Sequence, residues 1–383
     1  MAAVEIGAGK SARRGYGLDE LAIVPSRRTR DADVVDLSWL LDAYRFDLPV
    51  LAGPSDAVVS PATAAAISDL GGLAVLDLEG LWTRYEDPEP LIEELAGSPA
   101  DELGGRLRAL YAEPVRAELV VERIRALSAT GAVTAGALSP ARAAELAPAV
   151  LEADLDVLVV QGTVVSAEHV TRGEAPLDLR QFIRQLDLPV LVGGCASSHA
   201  ALHLMRTGAV GVLVGTGLGR SGAADDVLGI GVPDATAIAD AAGARTRHLE
   251  ETGVYVQVIA AGGLATSADV AKALACGADA VMLGPALASA EEAPGRGRFW
   301  DGAAAHPTLP RVAPPLAPPP AAGASLKELF VGPARAADGR TNLFGALRTT
   351  LAACGYASVR EFHKAELVVS AAAGGDPARV ASA

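Results

Sequence analysis

Eight short runs of apolar residues recur along the chain, and each leads into a segment that suits a helix. They are Leu48–Gly53, Leu73–Leu78, Gly131–Gly136, Leu155–Val160, Leu188–Gly193, Val210–Gly215, Val254–Ala260 and Ala280–Gly284. The runs are apolar throughout instead of alternating, as strands read when both faces are buried. Between them lie amphipathic stretches such as Pro61–Leu70, Arg116–Ala129, Ala196–Thr207 and Ser267–Cys276. Several begin with Ser, Thr or Pro and end with Gly, the usual helix punctuation. A parallel strand needs a crossover to reach its neighbour, and a helix supplies one. Eight such units fit a single (β/α)8 TIM barrel, and the 383 residues suit that fold with insertions. A doubly wound open sheet also alternates strand and helix, but eight units exceed its usual strand count.

The expected layout is a barrel over about residues 45–300 and a C-terminal helical element over about 326–370. Between them, over about 311–325, lies a Pro/Ala-rich flap or linker that includes Pro314–Gly323, expected to be extended and mobile. Tyr85–Pro114 exceeds a plain connection and is expected to elaborate the third unit.

Lys plus Arg number 32 against 46 Asp plus Glu, a formal charge of −14. A nucleic-acid surface needs a basic footprint, so that class is excluded, and adsorption to anionic membranes is disfavoured. Half of the residues are hydrophobic and 20% charged, enough for a sizeable core. Cys195, Cys276 and Cys354 are too far apart to read as a disulfide framework or a CxxC zinc site. The opening MAAVEIGAGKSARRGYG lacks the apolar centre of a signal peptide, and no apolar run reaches about eighteen residues. The chain therefore reads as cytoplasmic.

Barrel enzymes work at the carboxyl ends of their strands, and phosphate groups often sit on the loops after strands seven and eight. Here those strands end Ala260-Ala261-Gly262-Gly263 and Met282-Leu283-Gly284-Pro285. Glycine lets backbone N–H groups approach an anion, and the following helix N-terminus favours negative charge. The same glycines would equally serve to turn the chain tightly from strand to helix. After strand six comes a long loop, Gly215-Thr216-Gly217-Leu218-Gly219-Arg220-Ser221-Gly222-Ala223-Ala224-Asp225-Asp226. It runs on to Gly231-Val232-Pro233 before any helix, which excludes a Rossmann turn. Long loops at such positions tend to be functional.

Several of these stretches resemble the IMP dehydrogenase/GMP reductase barrels. They include Tyr16-Gly17-Leu18-Asp19-Glu20-Leu21 with Val24-Pro25-Ser26, then Gly193-Gly194, and Gly229-Ile230-Gly231-Val232-Pro233. The most specific runs from Ile259-Ala260-Ala261-Gly262-Gly263 through Ser267, Asp269, Lys272-Ala273 and Gly277-Ala278 to Met282-Leu283-Gly284. Glu291-Glu292-Ala293-Pro294-Gly295, Gly345-Ala346-Leu347-Arg348 and Gly355-Tyr356 complete it. The chain looks most like the divergent IMP dehydrogenase-related paralogues of high-GC actinobacteria, without the paired CBS domains of many dehydrogenases.

The resemblance implies a purine nucleotide ligand (IMP, GMP or XMP), NAD or NADP as cofactor, and a homotetramer. It implies backbone contacts to the nucleotide phosphate from Gly262, Gly263 and Gly284, with Met282 against the base. A monovalent cation would be held by loop carbonyls, here at Gly217, Gly219 and Gly222. The family's side-chain chemistry does not carry over. Its covalent cysteine falls at Gly222 and a phosphate-contacting serine at Arg220. The ribose-binding Asp falls at Ala261, the Asp on the nicotinamide side at Gln161, and an Asn after strand five at Cys195. A hydrogen atom cannot serve as a nucleophile, and Ser221 does not stand in register to replace it.

No catalytic side chain and no metal site is therefore assigned. Arg220, Asp225 and Asp226 stand as loop candidates for ligand contacts or as solvated charges. Cys195 reads as a packed hydrophobe at the pocket mouth, and Cys276 and Cys354 as packing residues. His199 and His203 share a helix face but lack a third ligand. The expected function is a purine-nucleotide protein, nominally an NAD(P)-dependent oxidoreductase of guanine-nucleotide metabolism, whose covalent step is missing. The alternative is a non-catalytic nucleotide sensor or hetero-oligomer regulator of an active IMP dehydrogenase. A third reading is another reaction on a phosphorylated substrate through Arg220 or Asp225.

Overall fold

The computed structural model describes residues 3–170, 177–216, 228–300 and 323–370. Its centre is a closed barrel of eight parallel strands in sequential order. They are Val50–Ala52, Leu73–Asp77, Ala135–Leu138, Val157–Gln161, Val190–Cys195, Gly211–Val214, Gln257–Ala260 and Ala280–Leu283. All but the first residue of strand seven are buried, since the inner faces fill the barrel and the outer faces meet helices. The seam pairs Val50, Leu51 and Ala52 with Val281, Met282 and Leu283. Each of the eight apolar runs thus overlaps a barrel strand.

Helices Pro61–Asp69, Ala117–Ser128, Ala143–Glu152, Leu179–Gln185, Ser198–Met205, Asp234–Thr252 and Ser267–Ala275 form the outer ring. Their starts are chemically marked: Ser60, Asp178, Ser197 and Thr266 each accept a hydrogen bond from an amide in the first turn. Such caps satisfy amides that no carbonyl can reach.

Two expectations shift. Tyr85–Pro114 belongs to the second connection, not the third unit, and carries helices Glu89–Gly97 and Ala100–Leu110. The third strand begins at Ala135, not Gly131, because Asp156 Oδ2 accepts from both the amide and the hydroxyl of Thr134 and fixes the strand's start there.

Helices Leu326–Val331, Leu343–Ala353 and Val359–Phe362 follow the barrel. Strand Leu367–Val369 then pairs antiparallel with Leu21–Ile23, so a segment after the barrel lies beside one before it. Among the described residues no helix is long and apolar enough to cross a membrane. Most of the proposed flap, including Pro314–Pro320, lies outside the described residues, as do Gly217, Gly219, Arg220, Gly222, Asp225 and Asp226.

Candidate functional site

The carboxyl rim of the barrel is built by backbone packed on backbone. Gly53 N donates to Leu283 O at 2.8 Å across the seam, Gly215 N to Cys195 O at 2.8 Å, and Ala261 N to Val214 O at 2.8 Å. Glycine is required at several of these crossings. A Cβ on Gly193 would stand 2.3 Å from Leu213 O. Gly194 sits at φ +75°, where a Cβ would meet Gly162 O at 2.1 Å, and Gly215 at φ +143°, where it would meet Ala261 O at 2.3 Å. Gly194 and Gly215 combine positive φ with contacts that leave no room for a side chain, and at Gly193 the contact alone excludes one.

The glycines after strands seven and eight divide by role. Gly262 packs against the Asp234 carboxylate, 2.8 Å from where its Cβ would be. Gly263 and Gly284 are different: their amides meet no acceptor among the described residues. Strands seven and eight pair Ala260 with Val281. Gly263 and Gly284 therefore lie three residues beyond one register point, on adjacent loops. Gly284 is buried, and its carbonyl accepts from Leu287 at 2.9 Å and Ala288 at 3.2 Å.

The helix after strand seven offers less to an anion than its position suggests. Asp269 Oδ2 already accepts from the amides of Ala265 at 3.1 Å and Thr266 at 3.0 Å, and Thr266 Oγ1 accepts from Asp269 N at 3.1 Å. This capping box fills the helix N-terminus with the chain's own carboxylate. Met282 is 0% exposed, paired with Leu51 in the barrel wall. Ala261, where the resemblance places a ribose-binding Asp, is also buried.

Gln161 ends strand four, is 7% exposed, and its Oε1 has no partner among the described residues. A buried amide oxygen without a donor costs about 1–3 kcal/mol, so a ligand N–H there would recover that loss. Cys195 is buried against Leu213 O at 3.5 Å, and burial pushes its thiol up to about 12. That environment suppresses the thiolate, the nucleophilic form, and fits the reading of a packed hydrophobe. The His199 and His203 rings stack with centroids 4.9 Å apart, and no group of three metal-ligating side chains occurs among the described residues.

A polar cluster that the sequence reading overlooked lies after strand one. Asp56 is fully buried, and its Oδ2 accepts from Leu81 N at 2.8 Å and from the Tyr111 hydroxyl. Ser55 Oγ donates to Trp300 O at 2.6 Å. Tyr111 arrives from the long second connection and Trp300 from after strand eight, so both tie remote segments to this loop. The only sequence signal is the Ser-Asp pair that follows Gly53-Pro54 after the strand.

Comparison with known proteins places this architecture. The family model for the IMP dehydrogenase/GMP reductase domain matches residues 15–307. An uncharacterized oxidoreductase of Mycobacterium leprae is 48% identical over 96% of this chain and 100% of its own. The inosine-5'-monophosphate dehydrogenase of Methanocaldococcus jannaschii is 37% identical, over 40% of this chain and 29% of its own. The crystal structure of an IMP dehydrogenase/GMP reductase-like protein from Corynebacterium glutamicum superposes with a TM-score of 0.89 at 44% identity, covering 96% of this chain and 98% of that one.

Proposed function

Because the chain belongs to the IMP dehydrogenase/GMP reductase family, we propose that it binds a purine nucleoside monophosphate at the carboxyl rim of its barrel, without the family's covalent chemistry. One observation carries this reading: the amides of Gly263 and Gly284, level with each other on adjacent loops, have no acceptor among the described residues. Two such donors suit a phosphate, which accepts through several oxygens at once. Met282, expected against the base, is fully covered within the barrel wall and contributes no contact to this reading.

A nicotinamide cofactor finds one fitting group. The unpaired Oε1 of Gln161 suits the N–H of a carboxamide, and such a cofactor when bound would supply hydride transfer. The residue at the covalent position, Gly222, offers no nucleophile, so no hydride step through an adduct is derived. What the chain's own residues do is bind and orient: backbone donors toward the phosphate and an amide acceptor near strand four.

The loss of the nucleophile also supports a second reading, a nucleotide sensor that regulates an active IMP dehydrogenase. Calorimetric titration with IMP, GMP and XMP, with NAD or NADPH present and absorbance followed at 340 nm, separates the two. Binding with turnover supports an oxidoreductase with another activating group. Binding without turnover, together with altered activity of an added IMP dehydrogenase, supports the sensor. No binding of any of the three at millimolar concentration refutes both.

A further inference from the structure

At the opposite face, where strands seven and eight begin, a groove of about 380 Å³ opens between helix Asp234–Thr252 and the C-terminal element. Its charges fall into two groups. Arg245 is committed: Nη1 donates to Asp279 Oδ2 at 2.7 Å and to Gly277 O at 3.0 Å. The Tyr255 hydroxyl donates to Asp279 Oδ1 at 2.6 Å, and His363 Nε2 to Ala278 O at 2.9 Å. Glu361 Oε2 accepts from Ala357 N at 2.9 Å.

Arg360 and Lys364 are uncommitted. Both are exposed, both line the groove, and neither forms an ion pair with a carboxylate among the described residues. The Arg360 guanidinium stands 5.3 Å from the centre of the Tyr255 ring, and Arg245 covers the same ring at 5.0 Å. Asp279 balances Arg245 and Glu361 lies on the same rim, so Arg360 and Lys364 are the groove's cations without a paired carboxylate among the described residues. In a chain with a formal charge of −14, two neighbouring cations without paired carboxylates stand out.

We propose that this groove is a second ligand site, which binds a small phosphate-bearing anion through Arg360 and Lys364, with the His363 ring beside them as a reporter. Guanidinium forks and an ammonium complement a tetrahedral oxyanion better than a planar carboxylate. The size of the groove suits a phosphate or pyrophosphate group on a small molecule. Burial holds His363 below its ordinary value, Asp279 opposes this, and Arg245 and Arg360 add to it. An anion placed beside the ring reverses the effect of the two arginines.

The test is a pyrophosphate titration of the full chain, followed through the imidazole resonance of His363 by NMR and identified with His363→Gln. Saturable movement of that resonance is expected. In the Arg360→Gln/Lys364→Gln double variant, affinity should fall about tenfold or more with melting temperature unchanged. Anion binding at the glycine rim would leave His363 still, because the rim lies at the other end of the strands. A resonance unmoved at millimolar pyrophosphate, or one that moves equally in the double variant, overturns the proposal. Nucleoside monophosphates titrated in parallel distinguish a nucleotide from a free phosphate.

Discussion

Gly194 shows how little freedom single residues have at the rim. Its φ of +75° and the carbonyls of Gly162 and Thr163 at 2.1 and 2.5 Å from a hypothetical Cβ leave alanine no accommodation. Gly194→Ala should lower stability by about 1–3 kcal/mol or more, seen as a reduced urea midpoint with an unchanged slope. The opposite trade is expected at Gln161. Gln161→Leu removes an unpaired buried oxygen and should leave the free protein equally stable or slightly more so, while weakening any nicotinamide response. A melting temperature that drops sharply would mean that Gln161 is structurally paired. The buried Arg245–Asp279 pair behaves differently again. Removing one partner, as in Asp279→Asn, should cost about 3–5 kcal/mol in chemical denaturation because the guanidinium is left without its counter-charge.

Whole elements were largely legible from apolar runs, because a strand buried on both faces can hardly be written otherwise. Where elements begin was less legible. The apolar residues Val254 to Val256 precede strand seven without joining it, since Val254 is exposed and Tyr255 is turned to Asp279. Third-strand residues were misplaced for a similar reason: a single carboxylate, Asp156, decides the start, and hydropathy does not register it. The site was legible only in its glycines. That Gly262 answers to Asp234 while Gly263 and Gly284 keep open amides depends on tertiary neighbours, and so does the burial of Asp56. The helix N-terminus taken to favour an anion is instead closed by its own cap. Thr266→Ala should therefore cost about 1 kcal/mol of stability, read by thermal melting, with nucleotide affinity little changed.

At the scale of the molecule, burial makes the fold sensitive to alkali. The Cys195 thiol is pushed from 9.0 to about 12 and the Cys276 thiol from 9.0 to about 11, each by burial. The folded state holds these protons while the unfolded chain releases them. The stability they contribute is thus full below about pH 9 and is lost as pH rises toward 12, by up to about 1.4 kcal/mol per unit per group. Cys195→Ala should flatten this decline in urea denaturation between pH 9 and 11; an identical slope would show that the thiol is not shielded. The seam between Val50–Ala52 and Val281–Leu283 has a consequence for synthesis. At roughly 5–20 residues per second, a ribosome needs on the order of ten to fifty seconds to make the last strand after the first. Throughout that interval the first strand presents an apolar edge with no eighth strand to cover it, the kind of edge that recruits other chains. The strand at Leu21–Ile23 waits longer still, because its partner Leu367–Val369 follows the eighth strand in the chain. A nascent chain stalled before residue 280 therefore depends on whatever shelters it at the exit tunnel.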